Sequence, residues 1–456
     1  MNKQAKTFCC DVAILGGGPA GTATALSLRQ HAPALSLALI EQSNYDTIRI
    51  GETLPPTAQP LLEQLGVWPI FLRAGHTPAY GSCAAWGSDK LWANEFIFHA
   101  TGHGWHLDRK RFDALLAHEA ASKGVALYAD TKLIASRPAR PKQWQLTLRT
   151  RNDDELSIAA AFVVDATGRR AVFASQQNVR KVLLDQLLGV CAFFNLNKRA
   201  PLTETYTLVE ACAKGWWYSA LVPEEKLAVC FMSDGDLVKQ HRLHAATAWF
   251  ELLAETRHTK ARVQQAEPMA APTVQAAYSQ RLERLTGDAW LAVGDAATTF
   301  DPLSSTGICK GLRSGIMASY AIIDYFKGST ASLAKYEAIT AGEFEAYLET
   351  RAAYYNQEQR WADALFWQRR HDQITLAPKQ MLRLTQSARK LAGIEKLAMH
   401  LPAHDLKLLC QICDAPRQAQ DVVAEFKARR SLISDRRIIL ALQYLVSAGI
   451  IKAATV

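Results

Sequence analysis

Residues Asp11 to Gly21 read Asp-Val-Ala-Ile-Leu-Gly-Gly-Gly-Pro-Ala-Gly, an apolar run that ends on a Gly-x-Gly-x-x-Gly spacing. An apolar run that stops abruptly on glycines is the pattern of a buried parallel strand. Pro19 to about His31 reads as the following helix and Leu35 to Ile40 as a second strand, which closes a βαβ unit. In such a unit Gly16 permits the tight turn, Gly18 lets the backbone approach a pyrophosphate, and Gly21 lets helix and strand pack closely. Pro19 and Ala20 open the helix, where free N–H groups and the dipole favour anions. Glu41 ends the second strand, with Gln42 after it, and is placed to accept hydrogen bonds from ribose hydroxyls. Strand, helix and terminal acid together mark a dinucleotide site.

A second segment extends that reading. Leu291 to Val293 is another apolar strand, followed directly by Gly294-Asp295. An aspartate beside a phosphate groove is electrostatically wrong unless it binds a hydroxyl, and the ribityl chain of FAD offers hydroxyls. Asp301-Pro302 leads into Ser304-Ser305-Thr306-Gly307-Ile308, which opens a helix. Its N–H groups stand where a reduced isoalloxazine carries negative charge. Asp165-Ala166-Thr167-Gly168 ends a third strand (Phe162 to Val164) and reads as a backbone contact near the adenine or pyrophosphate half. The three segments in this order point to FAD bound end to end. No second Gly-x-Gly-x-x-Gly occurs, so no dedicated nicotinamide domain is expected.

On these residues the chain resembles the hydroxybenzoate-hydroxylase and tryptophan-halogenase superfamily of FAD-dependent monooxygenases, across residues 8 to 330. Leu107 to Asp113 resembles that family's arginine-bearing helix start, which implies that Arg109 contacts FAD. Arg49 to Pro56 resembles its loop along the flavin, which adds Arg49, Gly51 and Thr53 to the expected cofactor contacts. Gly215 to Ala220 and Phe231 to Asp236 are most similar to the flavoproteins that mature tryptophylquinone cofactors. These include the peptidyl-tryptophan hydroxylase of quinohemoprotein amine dehydrogenase and the maturation flavoproteins of lysine and glycine oxidases. The resemblance implies a protein or peptide substrate carrying tryptophan, hydroxylated through a flavin C4a-hydroperoxide in a dry pocket. Trp216, Trp217, Tyr218 and the Gly51 to Pro56 loop are the expected walls of that pocket.

Departures from the halogenase pattern favour hydroxylation. Ser304 stands where halogenases have a glutamate, the Trp-x-Trp-x-Ile-Pro spacing is broken, and no lysine matches the one that captures hypohalite. Glu52, His106 and Asp301 are the candidate bases. Each has a plainer role open to it: Glu52 as a turn cap, His106 as a satisfied strand histidine, Asp301 as an N-cap. Competing functions are an FAD-dependent reductase or hydroxylase of a hydrophobic small molecule, similar to geranylgeranyl reductases, and a tryptophan-halogenase-like enzyme. A regulator with structural FAD is the non-enzymatic alternative.

Composition sets the frame. With 456 residues, two or three domains are expected. The expected fold is α/β: a Rossmann-like FAD-binding domain (1–75, 106–175, 285–330) interleaved with an antiparallel substrate sheet (76–105, 176–284). A helical region (331–400) and a winged-helix-like module (401–456) follow. Tyr354, Glu358, Trp361 and Leu365 are predicted to share one helix face. The absence of a long apolar run excludes a membrane-spanning helix, and the early first strand points to a cytoplasmic protein. Nine scattered cysteines then read as free thiols. Cys410 and Cys413 lack a second pair, so no metal site is expected. The net charge of +9 collects late, in Arg369-Arg370, Lys379, Arg383, Arg389-Lys390 and Lys427 to Arg430. A solvated helix face or an acidic protein partner explains it better than nucleic acid does.

Overall fold

The computed structural model describes residues 7–47, 49–140, 143–196, 205–371, 376–385 and 400–454. Arg389-Lys390 lies outside them. The chain forms the expected α/β architecture. Its first sheet runs Trp290–Ala292, Glu155–Asp165, Thr7–Leu15, Leu37–Ile40 and Ala126–Tyr128, all parallel, with the Thr131–Arg140 and Gln143–Thr150 hairpin extending Glu155–Asp165. Val12 to Leu15 and Phe162 to Val164 are buried to within 1%, in one core with helices Pro19–His31, Arg109–Ser122 and Gly307–Phe326. Helix Pro19–His31 lies against helix Gly307–Phe326, close enough that a Cβ on Gly315 would stand 2.4 Å from the Ala20 carbonyl oxygen.

The second sheet runs Ala266–Pro268, Leu187–Leu196, Lys226–Asp234, Gly215–Val222, Thr207–Cys212, Gly81–Ala85 and Trp92–Glu95. Side chains alternate across it. Phe194, Trp217 and Phe231 pack outward under Trp249, whereas Trp216, Tyr218, Cys230 and Met232 share the inner face.

Three expectations need correction here. The helix Ala331–Asn356 stops before the proposed Tyr354-to-Leu365 face is complete, and Leu365–Gln368 is a separate turn of helix. The buried Glu358 carboxylate accepts the Gly87 N–H at 2.8 Å and the Arg360 N–H at 2.9 Å, which holds the chain in turns. Met381–Leu384, placed by sequence in the helical region, is a strand between Arg417–Gln418 and Ile451–Ala454. It shares a core with helices Ala403–Ile412, Ala419–Arg429 and Asp435–Ser447, including Leu382, Leu406, Cys410, Phe426 and Leu442. The third correction is a Cys191–Cys230 disulfide where free thiols were expected. The cysteines lie directly opposite in neighbouring strands, a register that spacing along the chain does not reveal. Among the described residues no group of three or more metal-ligating side chains occurs, and no helix is long and apolar enough to cross a membrane.

Candidate functional site

A cavity of about 1220 Å³ runs from Glu41 to Ile308 between the two sheets. Its nucleotide end is shaped by glycine. Gly16 has φ +115°, and a Cβ there would lie 2.1 Å from the Ala166 carbonyl oxygen. A Cβ on Gly21 would meet the Gly16 carbonyl at 1.9 Å, so Gly21 serves packing and stays off the cavity wall. Gly18 is the opposite case: nothing lies within 4 Å of its Cβ position. It lines the cavity with Pro19 and Ala20 and precedes a helix whose N-cap makes no side-chain bond. The first-turn N–H groups there are a ready anion site.

Glu41 is 5% exposed and accepts the Gly17 N–H at 2.7 Å, the Ser43 hydroxyl at 2.6 Å and Arg49 at 3.1 Å. Gln42 lines the wall beside it. Arg49 and Arg109 share the buried Asp113, at 2.9 Å and 3.1 Å, and both line the cavity. Asp113 thereby fixes two cations where a pyrophosphate would pass. Sequence reasoning missed it, although its position four residues after Arg109 in the helix was a usable signal. Arg109 also donates to the Gly51 carbonyl at 3.2 Å, tying the flavin loop to this helix.

Asp165 does not reach the cavity. It is fully buried and accepts the Thr167 N–H at 3.0 Å and hydroxyl at 2.6 Å and the Ala174 N–H at 2.8 Å. It caps a turn whose Ala166, Thr167 and Gly168 form the wall in its place.

At the flavin end, Gly294, Asp295, Pro302, Gly307 and Ile308 line the cavity. Gly307 meets nothing within 4 Å of its Cβ position, and so leaves the start of its helix open. Thr306 is displaced from the wall: it is exposed and its hydroxyl donates to Ser304 Oγ at 3.0 Å. Asp295 receives the Lys310 ammonium at 2.8 Å, with Arg169 at 3.9 Å. Burial opposes its charge, but Lys310 and Arg169 prevail and hold the Asp295 carboxyl below the ordinary carboxylate range. Lys310, 3% exposed and 4.7 Å above the Phe300 ring, was not anticipated from sequence. The open positions at Gly18, Gly168 and Gly307, the paired arginines and the length of the cavity fit an extended dinucleotide such as FAD.

The three candidate bases differ sharply. Glu52 lines the cavity and is 1% exposed. Tyr218 donates to its Oε2 at 3.0 Å, and Oε1 has no hydrogen-bond partner. Burial raises its pKa, although Tyr218 and the nearby Gly51 and Glu52 amides work against this. Tyr218 also meets Thr53 at 3.0 Å, Thr53 meets Thr207 at 3.0 Å, and Thr207 meets His106 Nε2 at 2.9 Å. Glu52 and His106 are thus ends of one buried relay. His106 itself does not line the cavity, and burial, helped by Arg262, pushes its pKa down to about 3, so it stays neutral. Asp301 is an anchor and not a free base. Its carboxylate accepts Leu303 N–H at 2.9 Å, Tyr355 hydroxyl at 2.7 Å and Arg351 at 3.2 Å.

Of the expected aromatic walls, Tyr218 alone lines the cavity. Trp217 points to the far face of the sheet against Phe231 and Trp249. Trp216 shares the inner side but is sealed behind the wall, its indole N–H donating to the Tyr355 hydroxyl at 3.0 Å.

A family model described as tryptophan halogenase matches residues 11–96 and 89–424. The putative FAD-dependent oxidoreductase LodB of Marinomonas mediterranea is 32% identical over 79% of this chain and 96% of that protein. The 1H-pyrrole-2-carbonyl-(peptidyl-carrier protein) chlorinase of Pseudomonas fluorescens is 24% identical over 76% of this chain and 83% of that one. Among solved structures, the myxobacterial chondrochloren halogenase CndH superposes with a TM-score of 0.74 at 20% identity, covering 97% of both chains. The flavin-dependent halogenase CmlS gives 0.71 at 22% identity, over 96% of this chain and 77% of that one.

Proposed function

The chain belongs to the tryptophan halogenase family of FAD-dependent oxidoreductases, and from that membership we propose that it is a monooxygenase hydroxylating tryptophan in a partner protein during quinone cofactor biogenesis. The observation that carries the choice of hydroxylation is Ser304. It lines the cavity where the halogenase motif has glutamate, and its hydroxyl donates to the Asp301 carbonyl at 3.0 Å. The one lysine in the wall, Lys132, follows Thr131, whose N–H bonds the Glu41 carbonyl at 2.8 Å, and so lies at the nucleotide end. The wall at the flavin end therefore has no glutamate at this position and no lysine of its own; the nearby Lys310 ammonium is buried and held by Asp295 at 2.8 Å.

Residues Gly16 to Ala20, Arg49 and Arg109 would hold the pyrophosphate, and Asp295 the ribityl hydroxyls. The chemistry that bound FAD contributes is activation of O2 for transfer of one oxygen atom, with NADH, NADPH or a separate reductase as electron source. Met232, Ala277 and Cys191 give the cavity apolar walls that exclude water from the reacting groups. Glu52 takes up the proton that an indole carbon loses as the ring regains aromaticity, and its unpartnered Oε1 is the accepting atom. Tyr218 keeps the carboxyl in place through Oε2.

Support for a protein-borne substrate comes from the chlorinase relative, whose name gives a carrier-protein-bound pyrrole. That same relative favours a second reading, halogenation. One experiment separates the two: the FAD-loaded protein, a flavin reductase, NADH and isotopically heavy O2 are incubated with a tryptophan-bearing partner subunit, with and without chloride or bromide. Heavy oxygen in the tryptophan, independent of halide, is the expected result. Halogen incorporation without oxygen would overturn the hydroxylase reading.

A further inference from the structure

The cavity wall contains a sulfur pair whose redox chemistry the proposed hydroxylation does not use. Cys191 and Cys230 are directly opposite in the antiparallel pair of Leu187–Leu196 and Lys226–Asp234, and their Sγ atoms are bonded. One row crosses the sheet at this level. Thr273 pairs with Cys191, Cys191 with Cys230, and Cys230 with Tyr218. Thr273, Cys191 and Tyr218 all line the cavity, so the disulfide belongs to its inner wall. Gly189, two residues before Cys191 and also lining, keeps this stretch clear: a Cβ there would stand 3.3 Å from the Cys191 sulfur. The opposite face of the same strands is closed by Phe194, Trp217, Phe231 and Trp249. Cys191 is 3% and Cys230 1% exposed, so a reductant in bulk solvent has no route to the sulfurs except through the cavity.

We infer that the Cys191–Cys230 pair is a second redox centre that exchanges two electrons with flavin bound in the cavity. The inference rests on FAD occupying the cavity and is independent of which substrate is oxidised. In the exchange the S–S bond breaks and two thiols form. The reduced flavin gives up two electrons and one proton, a second proton comes from solvent, and the flavin returns to its oxidised state. A dithiol–disulfide pair is a reversible two-electron couple, so the reverse transfer restores the reduced flavin. Electrons that reach the flavin before a substrate is seated are held on sulfur instead of passing to O2 and emerging as peroxide.

The test is an anaerobic dithionite titration of the FAD-loaded protein, followed by flavin absorbance, with samples quenched in acid, alkylated and mapped by mass spectrometry. Flavin absorbance before the titration establishes that the cavity is loaded, which separates failure of cofactor binding from failure of the inference. Bleaching is expected to consume about four electrons per flavin instead of about two, with new alkylation at Cys191 and Cys230. The double variant Cys191→Ala, Cys230→Ala should bleach at about two. Should that variant lose its flavin, the thiol map of the natural protein decides alone. Bleaching at about two electrons with the disulfide intact would overturn the inference. Finding both cysteines as free thiols in aerobically prepared protein would do the same, as would equally fast thiol formation in flavin-free protein.

Discussion

Glu52→Gln removes one proton-accepting oxygen while leaving the surrounding packing in place. The Tyr218 hydroxyl donates to Oε2 at 3.0 Å, and an amide oxygen in that position still accepts it. Oε1 has no partner to lose, but the amide nitrogen that replaces it is a buried donor without an acceptor, so the structural cost is about 1–3 kcal/mol. The chemical cost is larger. A positioned general base contributes about 10²–10⁴ in rate, or about 3–5 kcal/mol of barrier. The substitution should therefore slow oxygen insertion into the tryptophan-bearing partner by that factor, with flavin content unchanged and the melting temperature only modestly shifted. The pH profile adds an independent check. Burial raises the pKa of Glu52 above its unfolded value, and the base works only when ionised. The natural protein's rate should rise with pH through that elevated pKa, whereas the variant's should be flat. Stability runs the other way. The native state holds this proton more tightly than the unfolded chain does, so Glu52 lowers stability progressively as pH rises from the unfolded to the folded pKa. Glu52→Gln removes that decline. Single-turnover rates measured by quench and mass spectrometry across pH, beside thermal melts, read both effects. A variant within about threefold of the natural rate, with the same pH profile, refutes Glu52 as the proton acceptor.

Gly18→Ala places a methyl in open space and should leave the melting temperature of the flavin-free protein unchanged while weakening FAD retention. Gly16→Ala forces a side chain at φ +115° to within 2.1 Å of a carbonyl and should cost about 2–6 kcal/mol, read by denaturant unfolding. Asp295→Ala should release flavin on dilution and gel filtration, and leave Lys310 buried without its carboxylate; unchanged flavin content would contradict the ribityl assignment. Tyr355→Phe strands the Trp216 indole N–H and leaves Asp301 Oδ2 to Arg351 alone, which should cost about 1–3 kcal/mol for the buried indole and increase peroxide released per hydroxylated product.

Local patterns were legible in the sequence. The Asp11–Gly21 strand–turn–helix, the Leu291 strand and the three C-terminal helices follow from short-range periodicity and glycine placement, and each was located within a few residues. Tertiary juxtapositions were not. The relay joins Thr53, Thr207 and His106, which are 154 and 101 residues apart in their contacting pairs. The Cys191–Cys230 bond spans 39 residues and depends on strand register. Asp165 departs from the expected backbone contact because its carboxylate caps the turn from beneath, leaving Ala166 to Gly168 at the wall. Trp217 could have been judged correctly: neighbours in a strand face opposite ways, so Trp216 and Trp217 cannot both look into one cavity.

Asp301 ties the C-terminal region to the site. Asp301 ends the approach to the Pro302–Ile308 turn, and its carboxylate is held by Arg351 and Tyr355, both on helix Ala331–Asn356. Arg351 also binds Asp185 at 3.0 Å, just before the Leu187–Leu196 strand, and the Tyr355 hydroxyl accepts the Trp216 indole N–H at 3.0 Å from the Gly215–Val222 strand. One helix therefore fixes the flavin turn and two strands of the inner sheet to each other. Tyr347 on the same helix adds Ser279 at 2.7 Å and the Asp301 N–H at 2.6 Å. The distance between the turn and the sheet sets the height of the cavity. Under the proposed hydroxylation, a group that keeps that height constant would govern coupling of oxygen activation to product without touching either reactant. The long helix is thus part of the frame of the cavity, and the aromatic stretch after Tyr354 packs behind its wall against Trp86 and Trp216.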